Sequence, residues 1–190
     1  MRMSGRAVAV GIGVALLLQS GAAVGDVLGR PDAVGDLWRT PIGAGSYAAA
    51  PRHVEGDITR IRVAHARRAV WIRVRFRELT TTSNGDFHLI GIRSDRRNRL
   101  IRVDALPGHW DGSATVTNEH GRVVPCAIRF RIDYDHAVFS MRVARACLGR
   151  PDWVRVGMRT TVADASYAYV DDARATGYRS SLAYGRRVRR

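Results

Sequence analysis

The sequence predicts an all-β chain, an antiparallel β-sandwich or jelly-roll-like fold of about eight to ten short strands. Three observations lead there. Apolar residues recur at every second position along much of the chain after Asp57, as in Val70-Trp-Ile72-Arg-Val74-Arg-Phe76. Turn-forming groups, among them Asn84-Gly85, Asp95–Asn98, Asn118–Gly121 and Asp133–His136, break those runs at regular spacing. The 3.6-residue apolar period of an amphipathic helix is almost absent, which argues against βαβ units and a parallel sheet.

The first 25 residues read as a secretory signal. Met1–Arg6 carries Arg2 and Arg6 and no acid, Ala7–Leu18 is an apolar and Gly run, and the small residues Gly21, Ala22, Ala23 and Gly25 follow. That order of basic, apolar and small segments is the signal-peptide layout. The apolar run is well short of the ~20 residues that span a bilayer. The alternative is an uncleaved N-terminal anchor. Cleavage is expected between Ala23 and Val27, giving a secreted, extracellular chain.

Residues 26–52 form an extension rich in Gly, Ala and Pro, with a possible first strand at Leu37-Trp38. Two similar phrases stand here and just beyond: Asp32-Ala-Val-Gly-Asp36-Leu37-Trp38 and His53-Val-Glu-Gly-Asp57-Ile58-Thr59. Each reads as a Gly-Asp turn leading into a strand.

Residues 53–180 carry the sandwich. Ile58, Ile61 and Val63 mark one strand, and Val70–Arg77 the most regular one, with Val70, Ile72, Val74 and Phe76 on one face and Trp71, Arg73, Arg75 and Arg77 on the other. Such alternation means one buried and one wet face. Phe87–Ile92 is apolar on both faces, as in a central strand, and Leu100–Ala105 returns from it. Pro107–Gly112 reads as a loop holding His109 and Trp110. Ala114–Thr117 and Val123–Val124 suit a short hairpin. Cys126–Ile132, Val138–Val143, Trp153–Val162 and Tyr167–Val170 supply the remaining strands. Ala144–Leu148 fits one helical turn stopped by Gly149 and Pro151. Residues 181–190 read as a frayed basic tail.

The formal charge is +14, and loss of Arg2 and Arg6 with the signal leaves +12. Every cationic side chain other than histidine is Arg. GC-rich codon usage accounts for the missing Lys, but the field remains, and such a domain adheres to polyanions. The two cysteines, Cys126 and Cys147, form one disulfide or stay as separate buried thiols; an oxidising compartment favours the bond. A loop of about 20 residues closed in this way stabilises by roughly 3 kcal/mol.

Catalytic and metal signatures do not stand out. The six histidines form no HxH, HExxH or HxxxH spacing, and no Ser sits in a GxSxG elbow. Asp133 with Asp135, and Asp171 with Asp172, lie in turns where calcium ligands gather, but Asp is also an ordinary turn former. The stripe Arg73, Arg75 and Arg77, with the shorter Arg129 and Arg131, is a candidate anion-binding face if the two strands are neighbours. Trp71, beside those arginines, and Trp110, beside His109, are candidate glycan-stacking residues, with sheet cover as the plainer role.

Gly56-Asp57-Ile58 leading to Val63-Ala-His65, a strand ending Phe76-Arg-Glu78-Leu79, Cys126, and then Cys147-Leu148-Gly149-Arg150-Pro151-Asp-Trp-Val154-Arg155-Val156 form a distinctive order. It resembles the small uncharacterised secreted proteins of actinomycetes with the pattern Cys…Cys-Leu-Gly-x-Pro-x-x-Val-Arg-Val. The resemblance runs from Asp32 to Asp172. It implies a β-sandwich with a Cys126–Cys147 disulfide, and no activity. The reading is a secreted, non-catalytic binding module without cofactor. Its expected partner is an anionic glycan or cell-wall polymer rather than a specific nucleic acid. A cell-envelope hydrolase with an unidentified site is the alternative.

Overall fold

The computed structural model describes residues 27–190; the expected signal segment, with its expected cleavage between Ala23 and Val27, lies outside the described residues. Two antiparallel sheets pack face to face, as the alternation predicts. One sheet has five strands: β1 (Val27–Pro31), β4 (Ile58–His65), β5 (Ala69–Phe76), β10 (Val138–Ala144) and β9 (Ile128–Asp133), in that spatial order. The other runs β3 (Ala48–Ala49), β2 (Trp38–Pro41), β12 (Tyr167–Asp172), β11 (Trp153–Ala163), β6 (Gly85–Ser94), β7 (Arg99–Leu106) and β8 (His109–Thr117). A short β13 (Val188–Arg189) also pairs with β11.

The core lies between the sheets. β5 turns Val70, Ile72 and Val74 inward, β10 adds Phe139, Met141 and Val143, and β6, β7 and β11 supply Ile90, Ile92, Ile101, Val103, Val156 and Met158 from across the gap. In β4 the apolar positions Ile58 and Ile61 are out of phase for a plain strand. A register shift between Ile58 and Arg60 inserts one residue, so both isoleucines face inward. As expected for an element apolar on both faces, β6 is central, between β11 and β7.

The structure changes three expectations. The loop read at Pro107–Gly112 is a two-residue turn, Pro107-Gly108, with Gly108 at φ 83°, and His109 and Trp110 begin β8. The segment before His53 belongs to the sandwich, because β1 pairs with β4 and β2 with β12. The residues 181–190 are not a frayed tail. Gly91 and Gly157 face each other across β6 and β11, and the absence of side chains there lets Leu182, Ala183 and Tyr184 cross the sheet closely. Arg155 Nε then donates to the Gly185 carbonyl at 2.7 Å, and Val188 is buried.

Cys126, just before β9, is bonded to Cys147 in the single 3-10 turn Arg145–Leu148 that follows β10, with Cα atoms 5.2 Å apart. The bond ties the approach to an edge strand to the crossover between sheets. Among the described residues no helix is long and apolar enough to cross a membrane. Unfolded, unreduced protein is expected to expose no thiol to alkylation, and Cys126→Ala to lower the unfolding free energy by about 2–5 kcal/mol. Labelling of both cysteines without reductant contradicts the bond.

Candidate functional site

The outer face of the five-stranded sheet gathers most of the residues singled out above. The pleat of β5 sends Trp71, Arg73 and Arg75 outward, since the intervening residues are committed to the core. Register then sets their neighbours. Arg73 lies opposite Arg62 of β4 and Ser140 of β10, and Arg75 lies opposite Arg60. Trp71 lies opposite Ala64 and Arg142, and Arg142 in turn lies opposite Arg129 of β9. Arg131 is opposite Ser140.

The result is an arginine lattice around one exposed indole. Three Arg–Arg pairs, Arg60–Arg75, Arg62–Arg73 and Arg129–Arg142, are directly cross-strand. Like charges placed so are destabilising. Among the described residues, Arg60, Arg62, Arg73, Arg75, Arg129 and Arg142 form no ion pair; Arg131 reaches Asp133 at the rim, 3.5 Å away. Trp71 is 51% exposed, with the Arg142 guanidinium 5.5 Å from its ring centre. Open depressions flank the indole on both sides, one lined by Arg129, Arg131 and Arg142, the other by Val27, Arg62 and Arg73. A third is lined by Arg60, Arg62, Arg73 and Arg75 alone.

The structure brings Arg73, Arg75, Arg129, Arg131 and Trp71 to this one face, because β10 lies between β5 and β9. It removes two residues from the predicted set. Arg77 follows the end of β5, and its Nη1 turns to the buried carboxylate of Asp57 at 3.1 Å. Trp110 is half-buried on β8 of the other sheet, packed edge-on against Tyr134 with ring centres 5.7 Å apart, and belongs to the core margin. Arg60, Arg62 and Arg142 were missing from the sequence-based set. Their signal was present in Arg60-Ile-Arg62-Val63 and Met141-Arg142-Val143, but only strand pairing shows that they share the face.

A second polar group lies inside the sandwich. His88 Nδ1 is 3.0 Å from Thr160 Oγ1, and its Nε2 is 3.8 Å from Asp86 Oδ2. Hydroxyl, imidazole and carboxylate in that order resemble a hydrolytic relay, but all three residues are fully buried, with His88 beside Phe76 and Phe139. A substrate finds no exposed atom there. Burial drives His88 down to about 3. It pushes Asp86 up to about 7, with Glu55 adding to the rise. The Asp133 turn, where calcium ligands could gather, follows the ordinary turn reading: its Oδ1 lies 2.9 Å from His136 Nδ1, and Arg131 lies 3.5 Å from the other oxygen.

No protein-family model, curated protein or solved structure matches the chain.

A carboxyl raised by burial stabilises the native state while it is protonated. Asp86's contribution is complete below pH 3.8 and is lost as pH rises through about 7. Asp86→Asn has no such loss. Urea unfolding at about pH 5 and about pH 8 is expected to show the variant gaining on the wild type at the higher pH, on the order of 2 kcal/mol. Parallel pH profiles contradict the assignment.

Proposed function

We propose that this is an exported, non-catalytic binding protein whose five-stranded sheet grips an extended polyanion, an anionic glycan or cell-wall polymer. The single observation that carries the reading is the set of three directly opposed Arg–Arg pairs on the face that also presents Trp71. A sheet face that needs only to stay wet is best served by mixed charges, which attract across strands. Here the pairs oppose one another, and an anionic ligand relieves that repulsion.

The chemistry fits a repeating polymer. Arginines two apart on a strand stand ~7 Å from each other, and neighbouring strands are ~4.8 Å apart. Guanidinium forks take sulfate, phosphate or carboxylate groups through paired hydrogen bonds. Trp71 offers a flat apolar surface to a sugar ring between those charges. The face carries no Asn or Gln to read base edges, so sequence-specific nucleic-acid recognition has no support on it. The disulfide suits an oxidising compartment, in keeping with the signal-like N-terminus and the resemblance to secreted actinomycete proteins.

Two triple variants separate the face from net charge. Replacing Arg62, Arg73 and Arg142 with Ser is expected to elute from a heparin column at clearly lower salt than replacing Arg96, Arg97 and Arg122, which are exposed on turns of the other sheet. Screening weakens both contacts as the Debye length falls below ~8 Å. Elution of both variants at one salt concentration leaves net charge as the cause and overturns the proposal.

A further inference from the structure

The two Gly-Asp phrases converge. Gly35 and Gly56 both hold left-handed conformations, φ 80° and 78°, and each delivers the following aspartate to the same place. Asp36, before β2, Asp57, at the start of β4, and Asp171, in β12, each bring a carboxylate oxygen within 4.8 Å of the others. The cluster stands where the N-terminal segment meets one strand of each sheet.

These carboxylates are short of partners. Asp57 and Asp171 are almost wholly buried, at 0% and 2% exposure. On each, one oxygen is used. Asp57 Oδ2 accepts from Gly35 N at 2.9 Å and Arg77 Nη1 at 3.1 Å, and Asp171 Oδ2 accepts from Ile58 N at 2.6 Å. Asp57 Oδ1, Asp171 Oδ1 and both oxygens of Asp36 are buried with no donor among the described residues. A buried carboxylate oxygen without a donor is costly, and several together in one small space are more so. Fully ionised, three carboxylates against the single guanidinium of Arg77 carry two excess negative charges. The nearby Asp32 and Asp172 do not reduce that excess; Arg159 is engaged with Asp172 at 3.2 Å, and Arg174 lies beside Asp32 and Asp172.

We propose that Asp36, Asp57 and Asp171 bind one divalent cation, calcium by ligand chemistry, which staples the N-terminal segment to both sheets. An all-oxygen carboxylate set suits a hard cation and gives zinc or copper none of the nitrogen or sulfur they favour. Calcium–oxygen distances of about 2.3–2.6 Å let one ion reach oxygens up to about 5 Å apart, wider than magnesium's shell allows. The charge of such an ion cancels the excess. Three protein carboxylates place the affinity in the weak extracellular range, roughly 10⁻⁴–10⁻³ M. The inference is independent of the polyanion reading, because none of the three aspartates belongs to the arginine lattice.

Calorimetry and thermal unfolding of the purified protein test it, with calcium chloride as the probe and EDTA as the reference. Calcium on the order of 10 mM is expected to raise the melting temperature by several degrees and to bind at one site, with magnesium weaker. A chain of formal charge +14 has no general attraction for cations, so binding reports a local site. Asp36→Asn loses no hydrogen bond to a described residue. It is expected to melt above the wild type in EDTA, since repulsion falls, and to bind calcium at least ten-fold more weakly. A wild type with the same melting temperature in EDTA and calcium, and no heat of binding, overturns the proposal. So does a variant that responds to calcium as the wild type does.

Discussion

Along β5, every side chain committed to the core fixes the direction of the next one. Val70, Ile72 and Val74 are essentially unexposed, and each apolar group buried is worth on the order of 1.5–3 kcal/mol. Slipping the strand by one residue would drive Trp71, Arg73 and Arg75 into the sandwich, so register cannot drift. β4 and β10 pair on either side of β5, and the same rule acts in them. Their outward positions include Arg60, Arg62 and Arg142, so the burial that builds the core also assembles the charged face. Opposed guanidiniums oppose folding, and the apolar interior is large enough to hold them together.

The same reasoning separates the two acidic environments. Asp133 is half-exposed and shares its oxygens with His136 and Arg131, an ordinary turn arrangement. Asp57 and Asp171 are buried where chain segments from both sheets meet, and each fixes a backbone N–H with one oxygen while the other is left without a donor. The first pattern completes a turn. The second leaves buried carboxylate oxygens at the junction of the sandwich that no described residue satisfies.

Fold class and the polarity of β5 were legible because a period of two survives in the sequence when one face is buried and one is wet. The face itself was half legible. Arg73, Arg75, Arg129, Arg131 and Trp71 follow from alternation, but no local signal says that β10 separates β5 from β9 or that β4 faces β5 Arg to Arg. Arg77 was misplaced because alternation gives a direction only while the strand lasts, and β5 ends at Phe76, where Asp57 takes the guanidinium. Trp110 is not legible from the sequence, because Pro107 and Gly108 signal a break without showing that it is only two residues long. The docked C-terminal segment is not legible from the sequence, because the Gly91–Gly157 contact that receives it is formed by residues far apart in the chain. The repeated Gly-Asp phrases were visible, while their convergence needed the third aspartate from β12.

The central claim is that the arginine lattice, and not net charge, meets the ligand. Nuclear magnetic resonance of the arginine Nε–H groups during titration with a sulfated oligosaccharide reads this most directly. Signals of Arg62, Arg73, Arg129 and Arg142, with the indole N–H of Trp71, should move together along one saturating curve, while those of Arg96, Arg97 and Arg122 stay in place. Shifts of similar size spread over arginines on both sheets would contradict the account.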